Sequence, residues 1–133
     1  PAFRCLSPSD FGFHNALRQS DGTIRYLDFE YAGWDDPAKT LIDFINQPDR
    51  LLPDHLADLF LENTIPRLPD SYALRERMAI LTPLYQLKWA CICLNAFLPG
   101  RRDDHTRPLG EQLDRARIMA YRAEGKSECE NQE

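Results

Sequence analysis

Three side chains carrying oxygen are spaced in a way that could do chemistry. Asp10 is followed five positions later by Asn15, and Asp28 stands eighteen positions after Asp10. Two short runs, His14 to Gln19 and Thr23 to Phe29, flank Ser20-Asp21-Gly22, and Asp-Gly between two such runs is a strong hairpin signal. A hairpin returns its far end to its own beginning, so Asn15 and Asp28 are expected side by side, with Asp10 on the loop before them. An amide oxygen and a carboxylate that converge, with a second carboxylate nearby, suit a hard divalent cation. Mg²⁺ takes oxygen ligands, usually one or two carboxylates plus substrate phosphates. Plainer roles exist: Asp10 also suits a turn before Gly12, and Asn15 a side-chain turn bond at the strand start. Asp28 is harder to place blandly, because Ile24, Tyr26 and Asp28 alternate with Arg25, Leu27 and Phe29. Both faces of that strand are expected to be covered, and a buried carboxylate is costly unless paired or metal-bound.

The elements that position these residues follow from the rest of the chain. After residue 36 the pattern is helical. Asp36-Pro37 reads as an N-cap with proline at the first helical position, and that helix carries Leu41, Ile42, Phe44 and Ile45 and ends before Pro48. Pro53-Asp54 opens a second helix with Leu56, Leu59, Phe60 and Ile65 at helical spacing. Asp70-Ser71 caps a third that runs to about Leu98, with a bend expected at Pro83. A fourth, from about Arg107 to Ala123, precedes a polar tail. The expected class is α+β, mostly helical: a β-hairpin with its preceding loop packed on about four helices.

Composition narrows the functions. The chain has 133 residues, 43% hydrophobic and 28% charged, ordinary values for one globular core. Its net charge of −5 argues against non-specific binding to nucleic acid or to an anionic membrane. The most apolar stretch, Leu81 to Leu98, is interrupted by Thr82, Pro83, Gln86, Lys88 and Asn95, so it reads as a buried helix rather than a span. Residues 1–10 contain no apolar signal segment, and the four cysteines do not form a secreted scaffold. A reduced, cytoplasmic setting is expected. Cys91 and Cys93 are two apart on a helix and point to different faces.

Taken together, Asp10, Asn15, Asp28-Phe29-Glu30 and the run from Glu30 to Ala38 resemble the catalytic core of the aminoglycoside phosphotransferase and choline kinase family, within the protein-kinase-like fold. That family has a loop of the form H-G-D-x4-N, a hairpin, a metal-binding aspartate, and an Asp-Pro helix start. The detailed match covers residues 7 to 45. The resemblance implies ATP- or GTP-dependent transfer of the γ-phosphate to a hydroxyl of a small molecule, with Mg²⁺ as cofactor. By the same resemblance Asp10 is the catalytic aspartate, and Asn15 and Asp28 hold the metal. Glu30 would reach a second ion or a water, or serve as a surface carboxylate. Leu17 and Leu27 would lie under the adenine.

Departures from the family pattern carry their own expectations. Pro8 stands in place of the family histidine, Ser9 in place of the glycine, and Thr40 where the family tends to place a helix aspartate that braces the loop. Proline has no N–H to give to such a brace, so Thr40 or Asp43 is expected to support the backbone of Ser9 or Asp10 instead. Gly12 and Phe13 replace the more usual histidine-proline pair. The domain organisation implied is a kinase-like C-terminal lobe over 1–124, with loop and hairpin at 7–30, helices at 36–124, and a tail at 125–133. Its partner would be an N-terminal nucleotide-binding lobe absent from this chain, which leaves Leu17, Leu27 and the hairpin exposed and the chain alone inactive. A non-catalytic, pseudokinase-like binding module is the alternative. A helical interaction domain with an incidental acidic loop is a third, and it requires an exposed Asp28. The Arg101-Arg102-Asp103-Asp104 segment falls where such enzymes build part of the acceptor site.

Overall fold

A computed structural model describes residues 3–48, 51–99 and 107–125. Over these residues it is α+β and 60% helical. Among the described residues there are four strands, β1 (Cys5–Ser7), β2 (Ala16–Arg18), β3 (Ile24–Tyr26) and β4 (Gly33–Asp35), and four α-helices. The helices are α1 (Pro37–Ile45), α2 (Asp54–Thr64), α3 (Ser71–Leu94) and α4 (Leu109–Ala123). The chain divides into two compact units, Pro1–Ala79 and Ile80–Glu133, with the boundary inside α3.

The expected hairpin is β2 with β3, antiparallel, with Ala16 opposite Tyr26 and Arg18 opposite Ile24. Its turn is closed by local chemistry. Gly22 takes φ +86°, which costs glycine nothing, and the Thr23 amide donates to Asp21 Oδ1 at 2.8 Å. The strands are shorter than the apolar runs, because Phe13–Asn15 forms a 3₁₀ turn instead. A second antiparallel pair was not expected: β1 lies beside β4, with Leu6 opposite Trp34. The strand component is therefore two small sheets rather than one hairpin.

Helix α1 starts where Asp36-Pro37 predicts. Asp36 Oδ1 accepts from the Ala38 amide at 2.8 Å and also pairs with the Arg77 guanidinium. Ala38, Leu41, Ile42 and Phe44 are buried and, with Ile65, Leu74 and Met78, supply the apolar core of the first unit. Phe44 is its aromatic centre, with ring centroids of Phe11 at 5.0 Å, Phe13 at 5.2 Å and Phe60 at 4.5 Å. Phe11 also touches Tyr26, at 5.0 Å, and so links the hairpin to α1. In the second unit Ala90, Cys93, Ala96, Ala116 and Met119 are buried. Residues 81–98 are not the buried helix expected. Leu84, Leu87, Ile92, Leu94 and Leu98 are exposed, and α3 gives way to a 3₁₀ turn at Asn95–Phe97. Cys91 is exposed and Cys93 buried, on different faces as the spacing requires. No helix among the described residues is long and apolar enough to cross a membrane.

Candidate functional site

The loop between β1 and the 3₁₀ turn is held from α1. Ser7, 2% exposed, closes β1, and its hydroxyl meets Thr40 Oγ1 at 2.8 Å while accepting from the Ser9 amide at 3.0 Å. The Ser9 carbonyl accepts from Lys39 Nζ at 3.3 Å, and Lys39 is itself clamped by Asp35 at 2.7 Å and Asp43 at 3.8 Å. One turn further, Gln47 Nε2 donates to the Phe11 carbonyl at 3.3 Å. A Cβ on Gly12 would collide with the Gln47 side-chain amide, so the loop passes where no larger residue fits unless Gln47 moves. The expected brace is therefore present but indirect. Thr40 reaches the Ser9 amide through the Ser7 hydroxyl, and Asp43 reaches the Ser9 carbonyl through Lys39. Lys39 and Gln47 were not singled out from sequence. Lys39, Asp43 and Gln47 recur every four positions, along α1 and just past its end, and that spacing is the signal that could have found them.

On this support stands Asp10. His14 Nε2 lies 3.0 Å from Asp10 Oδ2, and Asn15 Nδ2 donates to the Asp10 carbonyl at 3.0 Å and to Oδ2 at 3.4 Å. The Asn15 carbonyl accepts from the Leu27 amide at 2.8 Å, which extends the β2–β3 register by one pair and sets Asp28 next in line. Asp28 then takes φ +60°. A left-handed residue leaves the pleat, so strict face alternation ends at Leu27. Of the non-glycine residues with positive φ among those described (Ser9, Asp28 and Asp70), one precedes Asp10 and one is Asp28 itself. Such conformations cost about 1–3 kcal/mol each and cluster at functional sites.

Burial does not carry the case for Asp28. Asp28 and Glu30 are exposed, and so are Ile24, Tyr26, Leu27 and Phe29, so the strand is not covered on both faces. The physical reason is that, among the described residues, only Phe11, against Tyr26, packs an aromatic ring on this ribbon. Exposure also meets the condition that the incidental-loop reading sets. Leu17 is 56% and Leu27 48% exposed. Among the described residues no three His, Cys, Asp or Glu side chains gather into a metal cluster, so Glu30 does not join Asp10 and Asp28 in one. The donor types at the hairpin root fit Mg²⁺. Asn15 spends its N–H groups on Asp10, which leaves Oδ1 as its ligating atom, and Asp28 offers a carboxylate open to solvent and phosphate.

Other side chains able to do chemistry add nothing to this site. Trp34 is 74% exposed on β4, and His55 is exposed on α2. Burial, together with Asp35 and Asp36, pushes the Cys5 thiol up from its ordinary value, the opposite of what a thiolate nucleophile needs. The Arg101–Asp104 segment, His105, Lys126 and Cys129 lie outside the described residues. No protein-family model, no curated protein and no solved structure matches this chain.

Proposed function

We propose that this chain is the C-terminal, catalytic part of a kinase-like small-molecule phosphotransferase. The observation that supports this most is the double role of Asn15. Its side chain holds Asp10, and its main chain holds the strand end that carries Asp28. One residue thus ties a candidate base to a candidate cation ligand, which is what in-line phosphoryl transfer asks of a protein: positioning and charge stabilisation rather than covalent chemistry.

In this reading Asp10 orients the acceptor hydroxyl and takes its proton. Asn15 Oδ1 and the Asp28 carboxylate would hold Mg²⁺, which when bound neutralises charge on the nucleotide phosphates. Leu17 and Leu27, half exposed beside the hairpin root, offer one apolar wall for a purine, and the facing wall would come from an N-terminal lobe. The acceptor is an alcohol of a small molecule, and the setting is the cytoplasm.

The test is calorimetric titration of Mg²⁺–ADP into the full-length natural protein, paired with turnover of ATP. Asn15→Ala and Asp28→Ala should each weaken Mg²⁺-dependent binding by roughly tenfold or more, the usual cost of a lost ligand contact. Asp10→Ala should leave binding intact and remove turnover. Mg²⁺–ADP binding that ignores both ligand substitutions would overturn the metal assignment. Tight binding in a wild-type protein that never turns over would make it a non-catalytic nucleotide module.

A further inference from the structure

We infer that His14 is a positioning residue for Asp10, fixing one carboxylate oxygen so that the other receives the acceptor proton; this rests on the phosphotransferase reading. Two donors meet the same atom: His14 Nε2 at 3.0 Å and Asn15 Nδ2 at 3.4 Å both address Asp10 Oδ2. A carboxylate oxygen only accepts, so Nε2 is the protonated nitrogen of the imidazole in this contact. The backbone on either side is already fixed, by the Asp10 amide on the Pro8 carbonyl at 2.8 Å and the Asn15 amide on the Gly12 carbonyl at 3.1 Å. What remains loose is rotation of the carboxylate about its own axis, and the two donors on Oδ2 remove it. Oδ1 is left to face the acceptor.

The chemistry balances simply. The acceptor oxygen forms its bond to the γ-phosphorus of ATP as the bond to the bridging oxygen breaks and ADP leaves. The hydroxyl proton passes to Oδ1 of Asp10. His14 neither gives nor takes a proton in this step. It is four residues from Asp10, exposed, and packed in no core, so its side chain is free of a folding duty that would explain its orientation.

The test uses the full-length protein and two variants. His14→Ala should lower kcat roughly tenfold, about the worth of one charge-assisted hydrogen bond, while KM for ATP and acceptor stays within about twofold, since orientation of a base acts on the reaction step. His14→Gln, whose amide nitrogen has a similar reach, should recover most of the loss. Nitrogen-15 NMR of the imidazole supplies a readout free of turnover: the Nε2–H tautomer should dominate in wild type and give way to a mixture in Asp10→Ala. Equal kcat in wild type and His14→Ala, no rescue by glutamine, or a mixed tautomer in wild type would each overturn the inference. A wild-type protein that transfers no phosphate removes the underlying reading as well; an active one indifferent to His14 removes only this inference.

Discussion

Two neighbouring regions of the first unit are built on opposite plans. The loop at residues 7–12 lies against α1 and the residues just after it, and the buried polar groups there, Ser7, Asp43 and Gln47, are partnered by Thr40, Lys39 and the Phe11 carbonyl respectively. The hairpin beyond it is bare: every residue from 17 to 32 is exposed, apolar ones included. Buried polar groups are tolerated only when satisfied, so the first region is specified tightly by its own chain. The second buries too little to hold itself rigid, since a two-stranded ribbon is marginal alone. The side that carries Asp10 is preorganised; the side that carries Asp28 is open to solvent. On the phosphotransferase proposal, that asymmetry would set a fixed base beside an open ligand surface.

The contrast can be broken by substitution. The largest effect belongs to Phe44→Ala, which removes the ring touching Phe11, Phe13 and Phe60. It should lower the unfolding free energy by about 3–5 kcal/mol in urea titration. Ser7→Ala orphans the Thr40 hydroxyl and the Ser9 amide and should cost about 1–3 kcal/mol. Adding Thr40→Val should return part of that loss, because removing both partners of a buried pair is cheaper than removing one. Gly12→Ala drives a Cβ into the Gln47 amide and should cost about 1–3 kcal/mol with loss of the Phe11 contact. On the hairpin, Leu17→Ser should move stability by no more than about 0.5 kcal/mol while weakening nucleotide binding. A Leu17→Ser change as costly as Ser7→Ala would mean that the hairpin is not the bare region described.

The smallest effect sharpens the same point. The Thr23 amide bond holds the Asp21 carboxyl below its ordinary value. A depressed acid contributes stability above the unfolded-state value and loses it as pH falls through the folded one. Hairpin order should therefore be constant at neutral pH and loosen only on the acid side of the usual carboxylate range. Thr23 amide exchange against pH reads this directly, and Asp21→Asn should flatten the profile.

How much of this was legible in the sequence differs between the two regions as well. The Asp21-Gly22 turn and the Asp36-Pro37 helix start are local signals, and each has its expected place; the spacing of Asp10 and Asn15 likewise shows as a side-chain contact between them. The β1–β4 pair was not legible, because three-residue strands show no period and Cys5 pairs with Asp35, thirty positions away. The exposure of Ile24, Leu27 and Phe29 was misread, since alternation states which residues are apolar and not what covers them. The left-handed turn at Asp28 leaves no composition signal, aspartate being at home in several conformations. The brace was half legible: Pro8 and Thr40 marked an altered support, but the Ser7 hydroxyl and Lys39 that carry it needed the packing of α1 to appear.

Phosphorus-31 NMR of the full-length protein with Mg²⁺–ATP and a panel of hydroxyl acceptors, among them aminoglycosides, choline, ethanolamine and sugars, tests the central claim most directly. The predicted result is growth of ADP together with one phosphomonoester signal, dependent on Mg²⁺ and abolished by Asp10→Ala. Phosphomonoester formation at an unchanged rate in Asp10→Ala, or none with any acceptor in a protein that is folded and holds all three residues, would contradict it.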